Sequence, residues 1–419
     1  MKALLLLLLS CGPRPPVAPE APQATEPPLP ARWPGPALVS RATVVAAGDL
    51  IPHTNVHHAA AAAAARGAPQ AGWSSLLAPL APRLQAADLA FLNLETPVAP
   101  ETGTGTRAFV FDAPTALLDA IVASGVDVVS HANNHVYDQG RAGLAETLRH
   151  LDATPLVHLG AGPTCAAARA ARVLEVDGLR LAWLGTSKVY NDRLNAGPEE
   201  TCADAFDLEA TLAEVRRARA DGADAVILSI HWGREYHVEP DPADVADAHA
   251  LIEGGVDVIL GHHPHVVQPL EAVEASDGRV GVVAYSLGNL VSNQAYGYRF
   301  GLQPHDRGRS RDGLMLAFSV VRKRYGPGPD GVPVERVSLA DVHAVPLWTD
   351  NDAGVMVHPA PHIAVLATGD GIEEAYAALA EAPDEATRRT LEERIELLRV
   401  RWWSVEQVVG AGWMAPEPR

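Results

Sequence analysis

Residues 261–268 read GHHPHVVQ. Three imidazoles, His262, His263 and His265, fall within four positions, with Pro264 between the last two. Crowded imidazoles need something to hold them together, and a metal ion does so through neutral ring nitrogens. Groups of related chemistry recur along the chain: Asp49, Asn93, Glu95, Asn134, His135, His231, Glu235 and Asn289. None is a thiolate. Carboxylates, amides and imidazoles together suit a hard-to-borderline cation such as Mn, Fe or Zn. Two such ions, roughly 3.5–4 Å apart, can activate a shared water and clamp the attacked group. The chemistry that follows is hydrolysis, most often of a phosphate ester. On an extended segment, side chains at i and i+2 share a face, so His263 and His265 should point together and His262 away.

These residues need a frame. Several apolar runs each stop at a polar group: 42–49, 88–95, 126–135, 224–233, 256–265 and 280–289. Runs that are apolar throughout suggest strands covered on both faces. Helical spacing lies between them, over 73–87, 113–124, 141–153, 207–221 and 242–254. In open α/β sheets ligands bind beyond the carboxyl ends of the strands. Asp49, Asn93, Glu95, Asn134, His135, His231 and His263 should therefore converge at one edge. Each alone has a plainer role: Asp49 could cap a helix, Asn134 could make a turn, and His135 could be a satisfied buried histidine. Asp138 reads as a turn residue or one that orients a neighbour. His53, His57 and His58 read as solvated. Asp177-Gly178 predicts a hairpin over 171–187. The segments 313–323 and 341–350 read as antiparallel strands, and 385–403 as a helix with Leu391, Ile395 and Leu398 on one stripe.

The chain has 33 Lys and Arg against 51 Asp and Glu, a formal charge of −18. That balance argues against nucleic acid as a partner and against binding anionic lipid by bulk charge. The first residues, MKALLLLLLSCG, place a basic residue before an apolar run too short to span a bilayer. This is a secretory pattern. Residues 12–38 are Pro-rich and read as an extended spacer. Cys165 and Cys202 could pair in an oxidising compartment, but spacing alone does not bring their Cα atoms within reach.

Six segments, AAGDLIP, LNLETP, HANNHVYDQG, SIHWGREY, GHHPHVVQ and YSLGNLV, occur in an order that resembles the CapA, or poly-γ-glutamate capsule biosynthesis, family. That family looks like a branch of the calcineurin-like metallophosphoesterases, and the resemblance covers roughly residues 42–300. It implies an α/β fold, a metallophosphoesterase-like α/β/β/α sandwich of two mixed sheets flanked by helices. The divisions expected are a signal peptide at 1–11, the linker at 12–38, the main domain at 39–370 and a helical extension at 371–419 packing on it. Leu8-Leu9-Ser10-Cys11 is similar to the lipobox of bacterial lipoproteins, which implies acylation of Cys11, export, and a lipid anchor in the cell envelope.

The resemblance implies two divalent ions held by Asp49, Glu95, Asn134, His231, His263 and His265. His135 is the implied catalytic residue, and His262 a bystander or a group that supports a ligand from behind. Asn93, Glu235 and Asn289 are expected to contact substrate. The implied role is capsule or exopolymer biosynthesis by hydrolysis of a phosphoester or an envelope-polymer bond, beside a membrane synthase complex. The pattern departs from the parent superfamily in two places. Ile51 stands where Asp-x-His has its histidine, with His53 out of step by two, and the second motif lacks its usual Gly-Asp. A second reading therefore stands beside the first: a non-catalytic envelope protein that binds or tethers an anionic polymer through a degenerate metal site.

Overall fold

A computed structural model describes residues 36–192, 197, 200–327, 332–351 and 361–415. The signal segment, Cys11 and the linker as far as residue 35 lie outside the described residues. In chain order the strands are β1 (Ala37–Leu50), β2 (Leu89–Leu94), β3 (Val128–Ser130), β4 (Val157–Leu159), β5 (Ala161–Gly162), β6 (Arg172–Val176), β7 (Leu179–Ser187), β8 (Cys202–Ala203), β9 (Ala225–His231) and β10 (Val258–His262). They continue with β11 (Leu270–Glu274), β12 (Val280–Ala284), β13 (Asn289–Val291), β14 (Asp312–Pro327), β15 (Pro333–Asn351) and β16 (Ile363–Ala367).

One sheet runs β16-β15-β14-β1-β2-β3-β4, with β13 paired to the end of β1. The other runs β11-β12-β10-β9-β7-β6. Both are mixed: β1 to β4 are mutually parallel, as are β7, β9, β10 and β12, and antiparallel strands complete each sheet.

The period-two rule divides these strands between two cores. Val44 and Ala46 face the other sheet, while Val45 and Ala47 face the helices 54–65, 74–77 and 115–123. On the second sheet, Leu181, Trp183 and Ile227 face inward, while Ala182, Leu184, Val226 and Leu228 pack under the helices 208–220 and 242–253. The result is the four-layer α/β/β/α sandwich expected from sequence. Apolar runs appear because each central strand is buried on both faces.

Some elements differ from the sequence reading. The helix expected over 73–87 breaks into Ser74–Leu77 and Ala81–Ala86, because Pro79 cannot donate a helical hydrogen bond. The strand expected over 126–135 pairs only at Val128–Ser130. His57 and His58 lie on a helix, Thr54–Ala65. Asp177 and Gly178 both have positive φ, at 48° and 72°, the primed-turn geometry of a two-residue hairpin. The last long helix, Glu385–Val409, buries Ile395, Leu398, Trp402 and Val405. Its Arg401 is fully buried and donates to Asp312 Oδ2 at 2.7 Å and to the His305 carbonyl. Cys165 and Cys202 form a disulfide with Cα atoms 4.9 Å apart.

Candidate metal centre

The carboxyl ends of the parallel strands from both sheets meet. Asp49, next to last in β1, is in register with Asn93 on β2 and Asn289 on β13; Asn93 is in register with Ser130 on β3. On the second sheet His231 is in register with Ser187 and His262. Glycine permits this approach at the seam. A Cβ on Gly48 would lie 1.9 Å from the Gly288 carbonyl oxygen, and one on Gly261 would lie 2.0 Å from the Tyr285 oxygen.

Asp49 is completely buried and surrounded by donors. Asn93 Nδ2 lies 2.9 Å from its Oδ1, and the Nδ1 atoms of His262 and His265 lie 3.1 Å from its two oxygens. Burial pushes this carboxyl up, but hydrogen bonds and charge from His262 and His265 outweigh burial and hold it well below the usual range.

Glu95 is equally buried, and its Oε1 has no hydrogen-bond partner. Three imidazole Nε2 atoms surround that oxygen: His265 at 3.8 Å, and His135 and His231 at 4.0 Å. These separations are too long for hydrogen bonds, and those of His231 and His265 suit ligand atoms that each sit about 2 Å from one cation. Burial, then the charge of Asp49, pushes the Glu95 carboxyl well above its ordinary value. Burial and the neighbouring His263 push His231 well below its own.

The expected residues are brought together in two adjacent groups, joined by the contact of His265 Nδ1 with Asp49 Oδ2 at 3.1 Å. Asp49, Glu95 and His231 offer ligand atoms within 4.8 Å of one another, and so do Glu235, His263 and His265. Asn134 Oδ1 lies 3.0 Å from His231 Nε2. His135 Nδ1 lies 2.7 Å from Asp138 Oδ2, the orienting role read from sequence for Asp138, and the Phe111 ring packs against the His135 ring, tilted by 44° with centroids 4.3 Å apart.

Asn93 and Asn289 sit deeper than a substrate contact would. Asn93 is fully buried and bridges Asp49 and Glu95. Asn289 Nδ2 donates to the Ser310 carbonyl at 2.8 Å and to Gln294 at 2.9 Å. Glu235 is exposed at the mouth.

The histidine cluster at 262–265 is built differently from its sequence reading. His263 and His265 have φ of 97° and 57°, so the segment is not extended and the i, i+2 rule does not apply. His262, at the end of β10, does not point away; it faces Asp49. His53 is not simply solvated either. It lies edge-on to Phe111, accepts from the Asn293 amide, and burial lowers its pKa to about 4. Position 51, the missing histidine, holds a buried isoleucine whose amide donates to Val291. Asn133 was missed by motif reasoning: it donates to the Leu94 carbonyl and to Asn93, bracing the turn that presents Asn134 and His135.

Residues 43–294 match the family model described as bacterial capsule synthesis protein PGA_cap. The capsule biosynthesis protein CapA of Bacillus anthracis is 29% identical over 224 residues, covering 52% of this chain and 53% of that protein. The PGA biosynthesis protein CapA of Bacillus subtilis is 28% identical over 262 residues, covering 62% of this chain and 64% of that one. The chain thus spans between half and two thirds of these relatives' own length. Among solved structures, the calcineurin-like phosphoesterase YfkN from Bacillus subtilis aligns with a TM-score of 0.34 and 12% identity, over 72% of this chain and 90% of that one.

Proposed function

The chain belongs to the PGA_cap family of bacterial capsule synthesis proteins, and from that membership we propose that it serves synthesis of a poly-γ-glutamate-type capsule or exopolymer through a metal-dependent hydrolase site. The bond attacked is a phosphoester or a linkage of the envelope polymer. The observation that carries this reading is the buried, unpartnered Oε1 of Glu95 with three imidazole Nε2 atoms 3.8–4.0 Å away. An unpaired buried carboxylate is costly, and a cation removes the cost.

Asp49, Glu95, Asn134, His231, His263 and His265 hold two divalent ions, Mn, Fe or Zn. Bound ions supply Lewis acidity and a nucleophile near neutral pH. The chain's own residues do the rest. Asn93 fixes both carboxylates relative to each other. Asp138 holds the Nδ1 proton of His135, which leaves Nε2 facing the centre to hold or deliver a proton to the leaving group. Phe111 shields that ring from water.

In this reading the protein is exported, anchored by acyl chains on Cys11, and works beside a membrane synthase complex. The Cys165–Cys202 disulfide supports an oxidising compartment. Replacing Cys11 by serine should release the protein from membranes; unchanged membrane association would sink the anchor.

Elemental analysis of untagged protein, with a generic phosphodiester assayed in parallel, tests the chemistry. About two equivalents of metal with turnover is expected. The buried Ile51 favours the rival, a polymer-tethering protein with a degenerate site. No metal uptake after each ion is supplied would overturn the hydrolase and favour the tethering protein, which polymer pull-down then tests.

A further inference from the structure

The segment that follows β7 touches two of the candidate ligands from outside the motifs that carry them. The Lys188 amide donates to the His231 carbonyl at 2.8 Å. Three residues on, the Asn191 amide donates to the Asn134 carbonyl at 3.1 Å, and Asn134 Nδ2 donates to Asn191 Oδ1 at 3.3 Å. One short segment therefore braces the end of β9 and the turn after β3, which belong to different sheets.

The brace is itself held. Lys188 Nζ is paired with Asp244 at 2.6 Å and Asp247 at 2.5 Å, and Tyr190 Oη donates to the Asp204 carbonyl at 2.6 Å. Val189 and Ser187 exchange hydrogen bonds, from the Val189 amide to Ser187 Oγ and from Ser187 Oγ to the Val189 carbonyl.

We propose that Asn191 is a positioning residue that sets the rotation of the Asn134 amide, and thereby the affinity of the centre for a divalent cation. A primary amide carries one acceptor oxygen and one donor nitrogen, and fixing either fixes the other. With Nδ2 committed to Asn191, Asn134 Oδ1 is turned toward His231 Nε2, 3.0 Å away. Oxygen is the end of the amide that a hard cation takes. Flipped, Asn134 would offer the cation an NH2 group instead. Asn191 Nδ2 also lies 3.5 Å from His135 Nδ1. That contact adds nothing to the orientation, because the Nδ1 proton is already given to Asp138.

Asn191 is solvent-exposed, so its removal leaves the core untouched. Groups that orient metal ligands typically change metal affinity about 10–100-fold when lost. This inference rests on the metal-centre reading above, and the test separates the two. Mn2+ alone is titrated into metal-free full-length protein, wild type, Asn191→Ala and Asn191→Asp, with the Tm of each metal-free form measured beside it.

The expected result is a Kd raised about 10-fold or more in Asn191→Ala, an unchanged metal-free Tm, and recovery in Asn191→Asp, which keeps the acceptor oxygen. Equal affinity of wild type and Asn191→Ala overturns the role of Asn191 while leaving the metal centre standing. A weakened Asn191→Asp also overturns it, because the acceptor would then not be what matters. Wild type that takes up none of Mn2+, Zn2+ and Fe2+, each supplied in turn, fails the metal centre itself, and the inference with it.

Discussion

His135 Nδ1 lies 2.7 Å from Asp138 Oδ2, three residues along one turn, and the ring's other nitrogen faces Glu95 Oε1 at 4.0 Å. The carboxylate fixes the tautomer as well as the angle. Asp138→Asn should leave metal content unchanged and lower turnover about 10–100-fold, the range typical for a lost orienting partner. Elemental analysis with phosphodiester hydrolysis on the same sample checks this; unchanged turnover would remove His135 from the chemistry.

Glu95 sets stability against binding. Its carboxyl is buried beside Asp49 and pushed well above its ordinary pKa. Glu95→Gln relieves that burden, so the metal-free variant should melt at or above the wild-type temperature. It should also lose most of the gain a cation gives, which for wild type is about 3 kcal/mol at a hundredfold excess of free metal over Kd. Melting curves with and without Mn2+ decide the matter. A metal-free variant less stable than wild type would mean that Glu95 is a structural acceptor.

Removing His231 or His263 should strip the centre without unfolding the chain. His231 is the last residue of β9 and His263 the first beyond β10, so neither interrupts a strand. His231→Ala and His263→Ala should each lose about one equivalent of metal or more, with far-ultraviolet circular dichroism preserved. Full occupancy in both would show the ligands to be misassigned.

His131 predicts acid sensitivity. It is fully buried, and burial lowers its pKa from 6.5 to about 4, despite the Leu94 carbonyl at its Nδ1. Between those values the unfolded chain binds the proton and the folded chain does not, so stability rises with pH. The contribution is complete above about pH 6.5 and is lost as pH falls toward 4. At pH 5 the loss from this group is about 2 kcal/mol. Urea unfolding of wild type and His131→Asn at pH 7.5 and 5 should show the gap between them narrowing by that order; a constant gap would refute it.

Arg401 and Asp312 form a buried pair that joins the last helix to β14. Arg401→Met strands the Asp312 carboxylate and should cost about 3–5 kcal/mol, whereas Arg401→Met with Asp312→Leu should cost much less. Urea midpoints for the three proteins test this; equal losses in the single and double variants would show that packing, not charge, dominates.

The sandwich was legible because central strands buried on both faces leave continuous apolar runs, and their polar stops marked the edge where the site forms. The inner geometry of GHHPH was not legible, because φ of 97° at His263 and 57° at His265 redirects side chains that an extended segment would alternate. The brace was hidden for another reason. Asn191 lies in a connection with no periodic pattern, and its importance depends on Asn134, which is 57 residues away in sequence. Helix 73–87 failed locally, at a proline whose cost was outweighed by apolar spacing.

Asp49 is 213 residues from His262 and 216 from His265, and these contacts cross from one sheet to the other. Such long loops close late, after local structure has formed. Affinity for a cation at this seam therefore arises only once the two halves of the sandwich have docked. An ion bound there would act as a rivet between them: it would slow their separation and leave the folding of either half untouched. Metal uptake during refolding would then time the docking step itself, and a chelator would speed unfolding without changing the rate at which the sheets first assemble.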